Sequence, residues 1–300
     1  MATILVTGAT GKQGGALIKS LITKNAPFKI LAVTRNPQSA SAQKLLNESK
    51  NITLVQGDLD NPSDIFKNAQ SQTSEPIWGV FSVQAAMGTK VPEDVQGKTL
   101  IDEALKHGVK HFVYTSVDRH GAKSIDNPTN VPHFIRKHEI EKHLIEKTKD
   151  GQMDWTILRP TAFYDNLTPN FFGRFFSTCF KMSLKGKPLQ LVACSDIGAV
   201  AAEVFLHAED YKGRAISLAG DELTYDQFAQ IFKEKTGQTM PTTFTFLCWV
   251  MVTMVKDMGY MLKWFHDEGY KADIEEVRKI HPGLKDFGTW LETESQFKKQ

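Results

Sequence analysis

Three glycines near the start of the chain, Gly8, Gly11 and Gly14, constrain the fold more than any other feature. They directly follow the apolar run Ile4–Thr7 and directly precede a segment with helical periodicity. In such a turn the first glycine permits the tight bend, the second lets the backbone approach a pyrophosphate, and the third lets the helix pack on the strand. The N–H groups at the helix N-terminus then face the phosphates. The turn therefore predicts a dinucleotide-binding βαβ unit, and the GxxxxGK[ST] spacing of a Walker loop is not present.

Strand and helix patterns alternate through the first half of the chain. Helical stretches near 12–24, 38–49, 62–70, 93–107 and 133–147 separate six β-branched runs, Thr3–Thr7, Lys29–Thr34, Ile52–Gln56, Ile77–Ser82, Lys110–Ser116 and Asp154–Leu158. Alternation of this kind indicates a parallel sheet with right-handed crossovers. The pattern predicts an α/β fold: a Rossmann doubly wound parallel sheet with a smaller, mainly helical C-terminal lobe.

The pattern changes after Pro160, which predicts a Rossmann domain over 1–160 and a smaller lobe over 161–300. A helix from Asp196 to Glu209 and a strand at Arg214–Leu218 suggest that about 196–220 returns to the sheet. Further helices are predicted at 226–236, 246–264, 273–281 and 286–297. Segment 161–185 suits a cover over a pocket, but aromatic rings at helical spacing more often belong to a core: Phe171, Phe172, Phe175, Phe176 and Phe180.

The composition of the chain limits the classes of molecule that it is expected to bind. The 36 basic and 34 acidic residues leave a net charge of +2, so no direct nucleic acid binding is expected. Three scattered cysteines without a CxxC argue against a disulfide framework and a structural zinc site. The first residues carry neither a basic nor a long apolar signal segment, and the apolar run 244–255 is shorter than the roughly 18 residues that span a bilayer. A cytoplasmic location without membrane attachment is expected by elimination, and a nuclear one is left open.

The residues after the second, third and fourth strands suggest how a dinucleotide would be held. Arg35 follows strand two, where NAD-binding proteins place an acid, and a guanidinium holds a 2′-phosphate well. We therefore expect NADP(H), although a solvated loop arginine would look the same. Asp58 after strand three can accept from an adenine amine, or can simply form a turn. Ser82 and Gln84, after strand four, stand at the ligand-binding edge of the predicted sheet.

No tyrosine in the chain is followed four residues later by lysine, so the Tyr-x-x-x-Lys pair of short-chain dehydrogenases is missing. The corresponding helix reads His133-Phe-Ile-Arg-Lys137. Histidine is able to donate a proton, so His133 and Lys137 are the candidate catalytic residues. A helix-start residue without catalytic role explains His133 equally well. His138 and His143 are five residues apart and diverge by roughly 140° around a helix, so no metal site is expected.

With these motifs in place, the chain resembles the NmrA-like family of atypical short-chain dehydrogenases/reductases over nearly its whole length. The resemblance rests on GATGKQGG, VTRNP, VQGDLD, HFIRK, LRPTAFYDN and SDIG. It implies that Thr10, Lys12 and Gln13 join the three glycines in the pyrophosphate turn. It also implies that Arg35 holds the 2′-phosphate, that Lys137 holds the nicotinamide ribose, and that Pro160 to Phe163 lie under the nicotinamide.

The family contains NADP(H)-sensing regulators without the tyrosine, and it neighbours reductases that use a lysine alone. The resemblance therefore implies a redox-sensing regulator that takes part in transcriptional regulation. It would act by binding a protein partner through its C-terminal lobe. The alternative is an NADPH-dependent oxidoreductase that reduces a small carbonyl or quinone-like substrate with Lys137 and His133. A homodimer is left open.

Overall fold

The computed structural model describes residues 1–84 and 90–297, so the last three residues of the predicted second lobe lie outside it. The chain divides into two compact units that interleave along the sequence. Unit 1 comprises Met1–Ser116, Arg136–Leu158 and Ile197–Ile216. Unit 2 comprises Val117–Ile135, Arg159–Asp196 and Ser217–Gln300. Segment 117–135, which lies within the predicted first domain, thus belongs to unit 2.

Seven strands in the described part of the chain form one sheet in the order β3-β2-β1-β4-β5-β6-β9. Their bounds are β1 (Ala2–Val6), β2 (Phe28–Thr34), β3 (Ile52–Gln56), β4 (Ile77–Ser82), β5 (His111–Thr115), β6 (Asp154–Pro160) and β9 (Arg214–Leu218). The pairings among β1 to β6 are parallel. The order reverses direction at β1 and β4, as in a doubly wound Rossmann sheet. The predicted fold class is confirmed.

The helices of unit 1 complete the βαβ units that the sequence predicts. They are α1 (Lys12–Thr23), α2 (Ala40–Leu46), α3 (Pro62–Ser71), α4 (Glu93–Lys106) and α8 (Ala208–Tyr211), while α5 (Pro132–Lys147) and α7 (Cys194–Leu206) start in unit 2 and continue into unit 1. Strand side chains such as Leu5, Val80 and Phe112 are fully buried together with Leu100 and Ile140 of the helices. Strands β4 and β5 are almost wholly buried, which explains why apolar residues predominate in both.

Unit 2 is mainly helical around a small second sheet. Its helices are α6 (Phe171–Leu184), α9 (Tyr225–Thr236), α10 (Thr245–Met254), α11 (Lys256–Asp267), α12 (Ile274–Ile280) and α13 (Phe287–Thr293). The sheet has the order β10-β8-β7, with β7 (Ala162–Phe163), β8 (Leu189–Val192) and β10 (Asp221–Leu223). These strands are too short for a sequence pattern to reveal, and none was predicted. Phe175 and Phe180 are buried in the core of unit 2 with Phe228 and Trp264.

One prediction in this unit is wrong. The single helix expected over 246–264 is two helices, α10 and α11, bent by 112° at Val255. No proline marks the break, but Gly259 lies four residues beyond it, and a Cβ there would lie 3.0 Å from the Val252 carbonyl oxygen of α10. No single helix of the described residues is long and apolar enough to cross a membrane, and the bent pair meets that criterion only when its two halves are taken together.

Candidate functional site

The glycine turn has no room for side chains at two of its three positions. Gly8 has a φ of +57°, and a Cβ there would lie 2.6 Å from Val83 Cγ1. A Cβ on Gly14 would lie 2.4 Å from the Gly8 carbonyl oxygen. Gly11 differs, because its extended backbone suits any residue and its Cβ would meet the Gly8 oxygen at 3.1 Å. Gly8 and Gly14 are thus required for the conformation of the turn. Gly11 leaves the exposed edge of the turn without a side chain.

The turn leaves the start of α1 open. Gly11 is the N-cap and offers no side-chain oxygen, and the first helical turn contains no acidic residue. Gly8, Thr10, Gly11 and Lys12 are exposed, whereas Gln13 is half-buried. A bare helix N-terminus with its partial positive charge is a suitable place for a phosphate. A pyrophosphate therefore fits the exposed side of this turn.

Hydrogen bonds from two strands fix the turn. The Thr7 hydroxyl donates to main-chain oxygens at the end of β4 and accepts from Val83 N at 2.9 Å. Thr115, at the end of β5, donates its hydroxyl to Gln13 Oε1 at 2.6 Å. Behind the turn, a Cβ on Gly198 of α7 would lie 2.4 Å from the Ala16 carbonyl carbon, so only glycine lets α7 lie this close to α1. The SDIG motif includes this glycine and therefore has a packing role.

Arg35 and Asp58 line one open cleft of unit 1, with a volume of about 270 Å³. Its other lining residues are Gln56, Gly57, Asn61, Asp64 and Asn68. Arg35 is exposed, which leaves its guanidinium accessible to a phosphate. Asp58 Oδ1 accepts the main-chain N–H of Asp60 at 3.1 Å, which is the turn role that the sequence left open. Asp58 and Asp64 also place two carboxylates in the cleft, so an anion bound there would meet repulsion as well as attraction.

Ser82 and Gln84 are buried together at the end of β4. Gln84 Nε2 donates to Ser82 Oγ at 2.8 Å, which leaves the Gln84 carboxamide oxygen pointing elsewhere. That Oε1 atom is buried and has no hydrogen-bond partner among the described residues. A buried acceptor without a donor is costly, so this atom suits a donor from a bound ligand. With the bare glycine turn, it makes the end of β4 compatible with a dinucleotide.

Lys137 forms a buried ion pair that the sequence did not suggest. Its Nζ lies 2.6 Å from Glu93 Oε1, and the side chains are 13% and 1% exposed. Glu93 opens α4, where a carboxylate also interacts favourably with the helix dipole. The lysine ammonium is therefore held in one place by a carboxylate rather than free to move in solvent.

His133 lies in unit 2 and also has a carboxylate partner. Its Nδ1 is 2.6 Å from Asp257 Oδ1, at the start of α11. An imidazole held at Nδ1 in this way presents Nε2 for hydrogen bonding or proton transfer. Pro160 is buried and its carbonyl accepts Asp118 N at 3.0 Å, whereas Phe163 is half-buried in β7.

Three residues of these sites escaped the sequence analysis: Glu93, Asp257 and Thr115. Each meets its partner across a long stretch of chain, so no local motif contains both members of the pair. The described residues contain no group of three histidine, cysteine or acidic side chains that is able to hold a metal ion.

The chain is similar in sequence and in fold to proteins of the NmrA-like family and to nicotinamide-dependent oxidoreductases. The chain is 26% identical over 255 residues to the NmrA-like family domain-containing oxidoreductase hkm9 of Aspergillus hancockii, covering 78% of this chain and 72% of that protein. Its fold matches NmrA, a negative transcriptional regulator crystallised with NAD, at 17% identity and a TM-score of 0.72, over 98% of this chain and 95% of the other.

A second structural match is the NADPH-dependent quinone oxidoreductase QOR2 of Escherichia coli, crystallised with NADPH. It is 20% identical with a TM-score of 0.71, over 95% of this chain and 97% of the other. The model of the NmrA-like family matches residues 1–290. The chain therefore belongs to the NmrA-like family, as its motifs predicted.

Proposed function

We propose that the chain binds NADP(H) in unit 1. The pyrophosphate would lie against the Gly8–Gly14 turn, Arg35 would hold the 2′-phosphate, and Gln84 Oε1 would accept a hydrogen bond from the ligand. Two structural relatives crystallised with nicotinamide dinucleotides support this proposal. So does the buried acceptor of Gln84, because a donor from the ligand would relieve its desolvation.

We further propose that binding serves redox sensing, so that the chain is a regulator that reports the NADPH/NADP⁺ ratio. The observation that carries this proposal is the ion pair of Lys137 with Glu93, in a helix where histidine replaces the phenol. A lysine fixed by a carboxylate can bind ribose hydroxyls without lowering the pKa of any tyrosine. The relative described as a negative transcriptional regulator supports a role of this kind.

Paired measurements on the full chain test this function. Calorimetric titration should give clearly different affinities for NADPH and NADP⁺, and limited proteolysis should give different cleavage patterns in the two complexes. NADPH oxidation with a panel of carbonyls and quinones should remain at the level without protein. Equal affinities and identical cleavage patterns would contradict the sensor, as would rapid turnover of any substrate in the panel.

A reductase is the second candidate, and the contact between His133 and Asp257 favours it. When bound, NADPH supplies a hydride. His133 would deliver a proton from Nε2 to the substrate oxygen, and the Asp257 carboxylate at 2.6 Å from Nδ1 would hold the ring in the orientation for this transfer. Relatives described as oxidoreductases support this candidate.

Variants separate the two candidates. In a reductase, His133→Ala should slow single-turnover NADPH oxidation by about 10²–10⁴, Lys137→Met should abolish it, and Asp257→Asn should cost less than the loss of His133. In a sensor, His133→Ala should leave NADPH affinity unchanged. Lys137→Met should then weaken binding by about 1–3 kcal/mol through lost hydrogen bonds.

A further inference from the structure

Helix α10 of unit 2 is apolar around its whole circumference, yet only one side of it is buried. Cys248 is fully buried, and Met251 and Val252 pack on the core of the unit. The opposite side is open, with Phe246 at 74%, Trp249 at 58% and Met254 at 78% exposure. Helices that are apolar on all sides are normally buried on all sides. The open side therefore has the composition of a buried surface.

The exposed side chains form one stripe. The exposed Phe246, Trp249, Thr253 and Met254, with the half-buried Val250, follow the i, i+3, i+4, i+7, i+8 spacing that places residues on a single helix face. The rings of Phe246 and Trp249 are stacked, with centroids 6.4 Å apart. Phe244, the N-cap, is 82% exposed and extends the stripe at one end, and Val255, at 42%, extends it at the other.

We propose that this α10 face is the contact surface between two copies of the chain. Its area is the first argument. At about 200 Å² for a fully exposed ring, Phe244, Phe246 and Trp249 alone present roughly 400 Å². With Leu247, Met254 and Val255 the face reaches about 700 Å², close to the ~800 Å² that each partner contributes to a standard interface. The largest apolar patch of a typical monomer is roughly 300–600 Å².

Charge is the second argument. The twenty residues from Thr236 to Val255 include no Asp, Glu, Lys or Arg. In a twofold interface the same surface lies on both sides, so any charge near the axis would face its own copy. An uncharged face avoids this repulsion, so two copies of the same face are able to pack against each other. Enrichment in Phe, Trp and Met with depletion of charge is also the composition of protein interface cores.

A lipid surface fits the same helix less well. Helices that lie in the membrane interface carry a polar face rich in Lys and Arg. Helix α10 has no such face, because the side opposite the stripe is packed on the core through Cys248. The neighbouring α11 is also committed to the protein, since Leu262, Trp264 and Phe265 are buried in the core of unit 2.

Sedimentation velocity of the full chain across a micromolar concentration series tests this proposal. The parent should show a reversible monomer–dimer equilibrium. The double substitution F246E/W249E should weaken the dimer at least about tenfold, because it places like charges opposite each other. F246S/W249S removes apolar area without adding charge and should weaken the dimer as well. V95E, an equally drastic change at a 44% exposed position of α4, should leave the dimer intact.

Circular dichroism and thermal melting should show that all variants keep the parent fold, since every substituted side chain is exposed. A parent that remains monomeric throughout would overturn the proposal, and so would folded F246E/W249E and F246S/W249S that dimerise like the parent. Co-sedimentation of a monomeric parent with neutral phosphatidylcholine vesicles would also overturn it and assign the face to lipid.

Discussion

The ammonium group of Lys137 lies 2.6 Å from the carboxylate of Glu93, and that carboxylate is 1% exposed. The two residues come from different helices, α5 and α4, and are both part of unit 1. Removing one partner of a buried ion pair leaves an uncompensated charge, which makes such pairs costly to break. Glu93 thus acts as a positioning residue for Lys137, the lysine that we propose to hold the nicotinamide ribose.

The first prediction concerns this pair. Glu93→Gln should lower the free energy of unfolding by about 1–3 kcal/mol, because an amide replaces the charged partner of Lys137. It should also weaken NADPH binding by about tenfold, or ~1.4 kcal/mol, because the lysine is no longer held in place. Urea denaturation and calorimetric titration measure the two effects. Glu139→Gln is the matched control, since Glu139 pairs with Lys98 at 3.5 Å while 50% exposed, and it should change neither quantity noticeably.

The second prediction concerns the choice of dinucleotide. Arg35→Asp should weaken binding of NADPH far more than binding of NADH, because it replaces attraction to the 2′-phosphate by repulsion. Two carboxylates, Asp58 and Asp64, already line the same cleft and would add to that repulsion. Lys50→Asp makes the same charge change at an exposed turn position and should leave the preference for NADPH over NADH unchanged. Equal losses for the two dinucleotides in Arg35→Asp would exclude Arg35 as the 2′-phosphate contact.

The third prediction separates the glycines of the turn. Gly11→Val should preserve folding, because its backbone conformation suits any residue, and should abolish NADPH binding by blocking the rim of the turn. Gly14→Ala should destabilise the fold as well, since its Cβ would lie 2.4 Å from a carbonyl oxygen. Gly15→Ala is the control, with a Cβ 3.3 Å from the nearest atom. Thermal melting and titration with NADPH measure the stability and the affinity of all three variants. NADPH binding by Gly11→Val at the parent's affinity would contradict the prediction.

The fourth prediction concerns pH. Burial lowers the pKa of His111 from 6.5 to about 4, although Asp154 and Glu209 partly oppose the shift. Below pH 6.5 the unfolded chain binds a proton at this imidazole that the folded chain binds only near pH 4. The free energy of unfolding is therefore unaffected by protonation of His111 above pH 6.5. As the pH falls from 6.5 to about 4, protonation of His111 in the unfolded chain lowers this free energy by up to about 3 kcal/mol.

His111→Gln tests this effect, because an amide retains a hydrogen-bonding group opposite Thr156 Oγ1, which lies 3.0 Å from the histidine Nε2. Unfolding free energies at several pH values should fall less steeply in the variant than in the parent between pH 6.5 and pH 4. Parallel slopes for the two proteins would show that His111 is not responsible.

Local sequence was sufficient for much of the fold. Strand β1, the glycine turn and α1 follow one another within 23 residues, so their geometry depends on nearby backbone and could be predicted. The alternation of strand and helix patterns similarly predicted a parallel sheet, because parallel strands require crossover connections, while the order of the strands came from the structure. The family motifs carried the same information, and the match over residues 1–290 confirmed them.

Tertiary structure decided the features that depend on distant partners. Lys137 meets Glu93 and His133 meets Asp257 only after the chain folds, since pairs separated by 44 and 124 residues leave no local pattern. The break at Val255 contains no proline, and the single glycine four residues later, Gly259, is also compatible with a continuous helix. The open face of α10 was equally hidden, because an apolar helix has the same sequence whether its own core or another molecule covers it.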